Sequence, residues 1–292
     1  MACIKNLGQL PKSPITLCGP GTYQPTREKK LKALQCYLAI VRYLLPTDQT
    51  LLSSCLWHSD LHVENIFVDP RNPTEVVGII DWQSTELAPL FNQARQPYFL
   101  AYDGPRTRGL ERPRLPDNLT QLDQAERKKA ENLYLNMSLS ALYKTFVHKQ
   151  NPRLYRAIEF QETSSFELLL LARNIVVDGE ATYLAQVVEL EKTWAELPGV
   201  GVHGNALYPF KFSEEEKIEI EADVGGALRG IEAMRGVQEG LGKLFPEQGI
   251  VRSEDYEEVK DALRQMKEQV IETFARDERE RNIWQKEWPF DD

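Results

Sequence analysis

The sequence predicts a mainly α-helical fold with one small β-hairpin, and two observations support this. Apolar residues recur at three- and four-residue steps over most of 120–288, which is the spacing of helices with one buried face. Two short strand-like runs, 65–69 and 76–81, flank the turn-forming sequence Pro70-Arg71-Asn72-Pro73. We therefore expect one helical domain over 27–292 that carries a single hairpin.

Composition limits the classes of protein to which the chain can belong. Hydrophobic residues make up 42% of the 292 residues and charged residues 27%, as in ordinary globular proteins. The formal net charge of -9 would repel a phosphate backbone, so we expect no nucleic-acid partner. The longest apolar cluster, 166–177, is interrupted by Glu167, Arg173 and Asn174, so we expect no membrane span.

The four cysteines indicate a reducing, intracellular environment. They have no CxxC pair and no zinc-ligand spacing, and all lie near the start of the chain, at Cys3, Cys18, Cys36 and Cys55. Prolines interrupt residues 1–26, so we expect this leader to be irregular or disordered, with no clear targeting presequence. The residues alone leave the cytoplasm and the mitochondrion open as compartments.

The other elements follow from apolar spacing and from end signals. A first helix is predicted over 27–45 and ends before Pro46. The stretch 85–119 is rich in Pro, Gly and Arg, so we expect a long irregular connection with at most short helices. Ser213 and Glu216 have the spacing of a capping box, which predicts the start of a helix. Further helices are predicted over 121–150, 160–177, 181–197 and 253–284.

Three of these helices carry apolar stripes that we expect to face a core. The last stripe approaches a heptad, so it could also bind a protein partner, although packing on its own domain is the simpler expectation. The stripes consist of Leu135, Leu139, Leu142 and Phe146, with Leu133, Met137 and Ala141 on an adjacent stripe of the same helix; of Ile220, Val224, Leu228 and Ile231; and of Tyr256, Val259, Leu263, Met266, Val270 and Phe274.

One segment, 56–84, contains the residues that could carry chemistry. A hairpin turn centred near Asn72 places Asn65 opposite residue 80, so Asn65 and Asp81 should emerge side by side at the same end. Asp60 lies on the loop that feeds that end. Amide and carboxylate oxygens are the ligands that Mg²⁺ prefers, and a separate carboxylate can accept the proton of an attacking hydroxyl. The three side chains are therefore expected to converge on one cleft that suits metal-assisted phosphoryl transfer.

These residues resemble a known family. The run His58-Ser59-Asp60-Leu61-His62, continuing to Asn65 and followed by Ile79-Ile80-Asp81-Trp82, is similar to the aminoglycoside phosphotransferase family, a branch of the protein-kinase-like fold. The longer match over 55–104, with Ala88-Pro89-Leu90-Phe91, resembles a fungal subgroup of that family, which implies a mitochondrial location.

The resemblance implies a fold, an activity and a role for each site residue. The fold would be the C-terminal lobe of a protein-kinase-like enzyme, and the activity would be transfer of the γ-phosphate of ATP to the hydroxyl of an unknown small molecule. Asp60 would be the catalytic base, with His58 bracing its loop, and Asn65 and Asp81 would bind Mg²⁺.

The residues before His58 do not provide the nucleotide-binding lobe that such an enzyme needs. The sequence Cys18-Gly19-Pro20-Gly21 is a poor phosphate loop because Pro20 lacks a backbone donor, and neither Lys29 nor Lys30 is predicted on a strand. We therefore expect the N-terminal lobe to be absent, ATP binding to be doubtful and the chain alone to be weak or inactive.

Two other functions remain open. The chain could be a pseudoenzyme, a binding module that uses its helical surface. It could also be a metal-dependent hydrolase with His58, Asp60 and His62 as ligands, which is the weaker alternative because it leaves Asp81 without a role. A basic group within 95–114 is either a solvated loop or an anion-binding surface, and it comprises Arg95, Arg106, Arg108, Arg112 and Arg114.

Overall fold

A computed structural model describes residues 19, 21–83, 85–105, 107–245 and 251–291. Most of the predicted leader lies outside the described residues, as do Cys3, Cys18, Pro20, Ser84 and Arg106. Contacts divide the described chain into two compact units, one formed from 1–45 together with 168–292 and the other from 46–167. The single domain expected over 27–292 stays a prediction.

The fold is mainly α-helical with a little β-structure, as the sequence predicts. The helices are α1 (Arg27–Leu44), α2 (Gln49–Leu52), α3 (Leu90–Gln93), α4 (Gln124–Gln150), α5 (Pro152–Gln161), α6 (Ser164–Leu171), α7 (Glu180–Leu190), α8 (Pro198–Val202), α9 (Glu214–Leu241), α10 (Tyr256–Phe274) and α11 (Glu278–Lys286). The strands are β1 (Ser54–Trp57), β2 (Ile66–Asp69), β3 (Asn72–Ile79) and β4 (Glu86–Pro89). None of the described helices is both long and apolar enough to cross a lipid bilayer.

In the first unit, α1 and α7 form the centre of one hydrophobic core. The predicted first helix is confirmed: the Thr26 side chain accepts a hydrogen bond from the Lys29 N–H at its start, and the chain becomes extended at Leu45, before Pro46. Ile40 and Leu44 of α1 are fully buried in this core. Burying a side chain of this size stabilises the fold by about 1.5–3 kcal/mol. Further fully buried members are Ala33, Ile175, Tyr183 and Val187.

A second core in the same unit joins α9, α10 and α11. Val237 of α9 and Ile271 of α10 are fully buried in it, together with Trp284 of α11. The prediction of one helix through 253–284 was wrong, because the chain is extended at Ala275 and a new helix starts where the Asp277 side chain caps the Glu280 N–H. An Asp at such a position competes with helix continuation by accepting backbone hydrogen bonds.

The predicted capping box at the start of α9 is confirmed, but its buried face is only partly the expected one. Ser213 and Glu216 exchange side-chain to backbone hydrogen bonds. Ile220 is buried, whereas Leu228 and Ile231 are exposed. The buried positions between Ile220 and Val237 are instead small residues, Gly226, Ala227, Gly230 and Ala233, and a Cβ on Gly226 would approach the Tyr23 Cβ to 2.9 Å. The segment before α1 packs closely against α9 at these positions, so large apolar side chains would not fit there.

Two further helix predictions were too long. The stretch 160–177 divides into the end of α5, then α6, and a 3-10 helix over Ala172–Val177. The stretch 181–197 becomes 3-10 after α7, over Glu191–Glu196. Apolar periodicity alone does not separate a continuous helix from two helices in succession.

The second unit contains two two-stranded sheets. The predicted hairpin is confirmed as antiparallel β2 and β3, and a second sheet pairs β1 with β4. This second sheet was missed, because β4 is four residues long and lies in the stretch that was expected to be irregular. In register, Ser54 is opposite Pro89 and Trp57 is opposite Glu86. The two segments that flank the hairpin are thus tied together.

Of the two adjacent apolar stripes of α4, the first does not face the core of its unit, contrary to expectation, whereas the second is inward: Leu133 and Met137 are half-buried and Ala141 is buried. Leu135, Leu139, Leu142 and Phe146 are each exposed by 44–56%. The buried face carries smaller or polar residues, Ser140, Ala141, Lys144 and Val147. The Lys144 ammonium is satisfied there, since it donates to the Thr107 carbonyl and to the Glu162 carboxylate, each at 2.7 Å. Helix α4 therefore packs through polar contacts on its buried side.

Candidate active site

The hairpin has the register that the sequence predicts at its open end. Ile66 is opposite Ile79, and the Ile80 N–H donates to the Asn65 carbonyl at 3.0 Å. The turn itself is tighter than expected, since Asp69 is opposite Asn72. Two irregularities in the pairing, on either side of Val68, make up the difference. β3 therefore ends at Ile79, Ile80 is bonded to Asn65, and Asp81 comes next along the chain.

Asn65 links the hairpin to the loop that carries Asp60. It ends the 3-10 turn Val63–Asn65 and is 5% exposed. Its side-chain Nδ2 donates to the Asp60 carbonyl at 3.0 Å and lies 3.3 Å from His62 Nε2. A primary amide has two N–H donors on nitrogen and its acceptor capacity on oxygen. With the nitrogen facing these two groups, Oδ1 is the atom that can bind a cation.

His58 fastens the start of the same loop to the end of β3. Its Nε2 lies 2.8 Å from the Ile80 carbonyl, and because a carbonyl only accepts, Nε2 carries the proton. The imidazole also packs edge-on against the Trp82 ring, with centroids 4.9 Å apart. Its Nδ1 is buried and has no hydrogen-bond partner among the described residues. These contacts are the ones that a bracing role requires.

Asp60 presents its carboxylate to solvent, with 54% of its side chain exposed. One oxygen lies 3.3 Å from His62 Nε2, and His62 Nδ1 lies 2.7 Å from a Glu64 carboxylate oxygen. The hydrogen bond with Glu64 is the main cause that raises the pKa of His62, and the Asp60 charge adds to it. For Glu64, the hydrogen bond from its own backbone N–H and then that with His62 lower the pKa of the carboxyl.

Packing does not explain the backbone conformation of Asp81 or the surroundings of its carboxylate. Its φ is 61°, in the left-handed region that non-glycine residues rarely adopt. Its Oδ1 is buried and has no hydrogen-bond donor among the described residues. A buried carboxylate oxygen without a donor is costly unless a cation or water satisfies it. Asp81 and the Oδ1 of Asn65 thus fit a hard divalent cation such as Mg²⁺.

The ligand set of the alternative hydrolase is not assembled in the described part of the chain. There, no three His, Cys, Asp or Glu side chains are placed to hold a metal ion together. His58 has Nε2 on the Ile80 carbonyl, and His62 has both ring nitrogens within reach of neighbouring side chains. The pair Asn65 and Asp81 is not excluded as a metal site by this finding, because the finding concerns His, Cys, Asp and Glu and one of the pair is an amide.

Sequence reasoning missed two contributors to this site, Glu64 and Trp82. Glu64 orients His62, and Trp82 packs on His58 while its indole N–H donates to the Ile79 carbonyl at 2.9 Å. The sequence offered one indication of their role, since Glu64 is next to Asn65 in the chain and Trp82 is next to Asp81. Local neighbours of this kind are recognised only when side-chain contacts are known.

Both small sheets expose apolar side chains. Leu56 of β1 and Leu87 of β4 are 62% and 69% exposed, and Val77 of β3 is 61% exposed. Ile80 and Trp82, which flank Asp81, are about half exposed. Monomeric proteins rarely leave contiguous apolar surface uncovered.

The arginines of 95–114 form an exposed group. Arg95, Arg108, Arg112 and Arg114 are all exposed, and Arg106 lies outside the described residues. The backbone between them is held at Thr107, which is buried and whose carbonyl accepts from Lys144. Anion binding by this group stays a prediction.

Comparison with known proteins gives a family match over part of the chain. Residues 21–92, which include His58 through Trp82, match the phosphotransferase enzyme family. A subtelomeric hrmA-associated cluster protein of Aspergillus fumigatus is 21% identical over 285 residues, which are 97% of this chain and 54% of the relative. Altered inheritance of mitochondria protein 9 from Kluyveromyces lactis is 24% identical over 173 residues, 59% of this chain and 27% of the relative.

The same mitochondrial protein from Lachancea thermotolerans is 22% identical over 179 residues, 60% of this chain and 28% of the relative. The chain therefore spans about half the length of the Aspergillus relative and less of the other two. No solved structure matches the chain. The resemblance inferred from the motif is confirmed: residues 21–92 match the phosphotransferase enzyme family, and the chain is similar to the fungal altered inheritance of mitochondria protein 9.

Proposed function

We propose that this chain supplies the catalytic and metal-binding part of an ATP- and Mg²⁺-dependent phosphotransferase that acts on a small-molecule hydroxyl. The observation that carries the proposal is the joint placement of three residues. The Asn65 amide is bonded to the Asp60 backbone, the Ile80 N–H is bonded to the Asn65 carbonyl, and the Asp81 that follows has a buried oxygen without a donor among the described residues.

Each residue has a distinct task in the proposed reaction. Asp60, exposed to solvent, orients the acceptor hydroxyl and takes its proton as the oxygen attacks phosphorus. Asn65 and Asp81 would hold Mg²⁺, which when bound neutralises charge on the nucleotide phosphates. His58 keeps the Asp60 loop fixed to the end of β3. Positioning and charge neutralisation are the main sources of rate enhancement in this chemistry.

We propose that the exposed apolar surface on the two small sheets is where a nucleotide-binding lobe packs. Leu56, Val77 and Leu87 are apolar and largely exposed, and Ile80 and Trp82, the neighbours of Asp81 in the chain, are about half exposed. A lobe in that place would exclude water from the phosphates and align them with Asp60. The longer relatives have room for such a lobe, since the chain matches 54% of the Aspergillus protein.

A titration of the purified chain with Mg²⁺-ATP tests the proposal. We expect weak stabilisation of the wild type, negligible turnover without a nucleotide lobe, and loss of the stabilisation in Asp81→Ala. Asp60→Asn should leave the stabilisation intact, because Asp60 acts on the hydroxyl and not on the nucleotide. Equal melting temperatures of the wild type with and without Mg²⁺-ATP would favour a binding module instead, with its partners to be sought on the helical surface.

We also propose a mitochondrial location, supported by the names of two of the relatives. Fractionation of cells that express the natural protein with a C-terminal tag tests this. Co-purification with a matrix marker is the expected result, and recovery in the cytosol alone would contradict it.

A further inference from the structure

The outer face of α4 carries an apolar stripe that has no role in the candidate active site. This α4 stripe consists of Leu135, Leu139, Leu142 and Phe146, each 44–56% exposed, and it spans about 16 Å along the helix. The exposed positions from residue 132 to residue 146 carry no charge, because the one charged side chain in that range, Lys144, is buried. Depletion of charge around apolar side chains is typical of the centre of a protein–protein interface.

The opposite side of α4 is bonded to its own unit, so the helix is held with the stripe outward. Lys144 lies on that side, and its ammonium donates to the Thr107 carbonyl and to the Glu162 carboxylate, each at 2.7 Å. The Ser140 hydroxyl donates to the Gln96 side-chain oxygen at 2.9 Å. Rotating the helix to bury the stripe would break these three hydrogen bonds and leave the carbonyl of the buried Thr107 without this donor.

The spacing of the stripe fits a second copy of the same helix that runs in the opposite direction. The four residues follow one another at steps of four, three and four, an order that is the same when read from either end. A two-fold axis that passes between Leu139 and Leu142 therefore sets Leu135 opposite Phe146 of the other copy, and Leu139 opposite Leu142. A two-fold contact uses the same surface on both chains, so it closes at the dimer.

The charges at the two ends of the stripe match in this antiparallel arrangement. Glu131 precedes the stripe and Lys149 follows it, and a whole number of helical turns separates them, so both lie on the same flank. Antiparallel copies place Glu131 of each chain near Lys149 of the other, whereas parallel copies would place like charges together. One Glu131 oxygen pairs with Arg127 of its own helix at 2.9 Å, which leaves the second oxygen to face Lys149.

We propose that the α4 stripe is a dimer interface, at which α4 packs antiparallel against α4 of a second copy of this chain. The proposal does not depend on the phosphotransferase assignment, because none of its residues belongs to the candidate active site. A contact of one helix with one helix is small beside the standard interface of about 1,200–2,000 Å² in total. We therefore expect a reversible dimer with a dissociation constant in the micromolar range.

Sedimentation velocity of the purified full chain, from low to high micromolar concentration, tests for this dimer. The wild type should change from monomer to dimer over that range. Leu139→Glu should stay monomeric and keep a melting temperature close to that of the wild type, because the side chain is exposed and glutamate is a good helix former. A wild type that stays monomeric throughout would overturn the proposal.

Leu228→Glu is the matched control for this substitution. It places the same charge at an exposed leucine of another long helix, since Leu228 of α9 is 57% exposed. This variant should dimerise as the wild type does. If Leu228→Glu abolishes the dimer as Leu139→Glu does, the added charge or the loss of any exposed leucine explains the effect, and the α4 stripe is not the interface.

Exchange of the end charges tests the antiparallel direction and does not alter the stripe itself. Glu131→Lys and Lys149→Glu should each weaken dimerisation about 5- to 10-fold, because each replaces two attractive pairs with two repulsive ones. The double variant restores opposite charges across the interface and should recover the wild-type dissociation constant to within about 2-fold. In a parallel dimer the single variants would only exchange one like pair for another. Unchanged dimerisation in both single variants, or no recovery in the double variant, would overturn the proposal.

Discussion

Asp81 combines two features that a single substitution can separate, its left-handed backbone and its carboxylate. Asn adopts the left-handed region about as readily as Asp, whereas Ala has a penalty there of about 1–2 kcal/mol. We therefore expect Asp81→Asn to keep the stability of the wild type and to lose most of its Mn²⁺ affinity. Asp81→Ala should lose both, with a free energy of unfolding about 1 kcal/mol lower. Urea unfolding and Mn²⁺ titration of the two variants measure this, and equal stability of the two would contradict the strain argument.

Glu180, at the start of α7, is fully buried in the first unit, and its stability contribution should depend on pH. One carboxylate oxygen accepts from the Tyr23 hydroxyl at 2.8 Å, and the other is buried without a partner among the described residues. Burial is the main cause that raises the pKa of this carboxyl, against the opposing effects of its backbone hydrogen bond, Tyr23 and Lys30. The folded chain therefore holds the proton more tightly than the unfolded chain.

The sign of the effect follows from proton linkage. A raised carboxyl pKa in the folded state means that stability is highest below the unfolded-state pKa and falls as pH rises through the window between the two values. Glu180→Gln, which keeps an oxygen for Tyr23, should remove this part of the pH dependence. Urea unfolding from pH 5 to pH 8 should give a flatter profile for the variant than for the wild type. Parallel profiles would show that Glu180 ionises equally easily in both states.

At the scale of single residues, the sequence identifies the site better than it identifies the contacts within it. The register of the hairpin places Ile80 next to Asn65, as the spacing of the sequence predicts, whereas a shared cleft for Asp60, Asn65 and Asp81 stays a prediction. The Glu64–His62 contact and the left-handed Asp81 depend on side-chain rotamers and on a backbone conformation that carries no residue signature here. Such features require the coordinates of the loop.

At the scale of elements, the start of α9 offers a quantitative test. The Ser213 hydroxyl accepts from the Glu216 N–H at 3.2 Å, and the Glu216 carboxylate accepts from the Ser213 N–H at 2.9 Å. Ser213→Ala should lower the free energy of unfolding by about 1 kcal/mol, as is usual for loss of an N-cap. Ser138→Ala, a half-buried serine in the interior of α4 with no capping role, is the control and should change it little. A loss in the control equal to that in Ser213→Ala would remove the capping explanation.

Elements with strong end signals were predicted well, and elements that depend on their partners were not. The helix before Pro46 and the capping box at Ser213 are confirmed because local chemistry determines both. Strand β4 was missed, since four residues gain strand character only by pairing with β1. The exposed stripe of α4 shows the same limit: periodicity identifies an apolar face without saying what covers it.

At the scale of the whole molecule, the sequence predicts the helical character but not how the chain divides. The described residues form two compact units because segments 1–45 and 168–292 share a core, and such long-range contacts leave no periodic signal. The heptad-like stripe in α10 also differs in detail from its expectation, since Val259 and Val270 are buried while Tyr256 is half exposed. Binding of a protein partner through this C-terminal helix stays a prediction.

The exposed surface of the small sheets gives the last prediction, which concerns the chain as a whole. Val77 and Leu87 contribute little to the core, because more than 60% of each side chain is exposed. Val77→Thr combined with Leu87→Thr should therefore leave the melting temperature within a few degrees of the wild type, while lowering the fluorescence of an apolar dye that binds uncovered surface. Leu51→Ala is the contrasting variant, since Leu51 is 3% exposed and truncating a buried leucine costs about 2–5 kcal/mol. If the double variant instead unfolds as readily as Leu51→Ala, the sheet surface is already covered in solution. A nucleotide lobe would then have to approach Asp60 and Asp81 from another side.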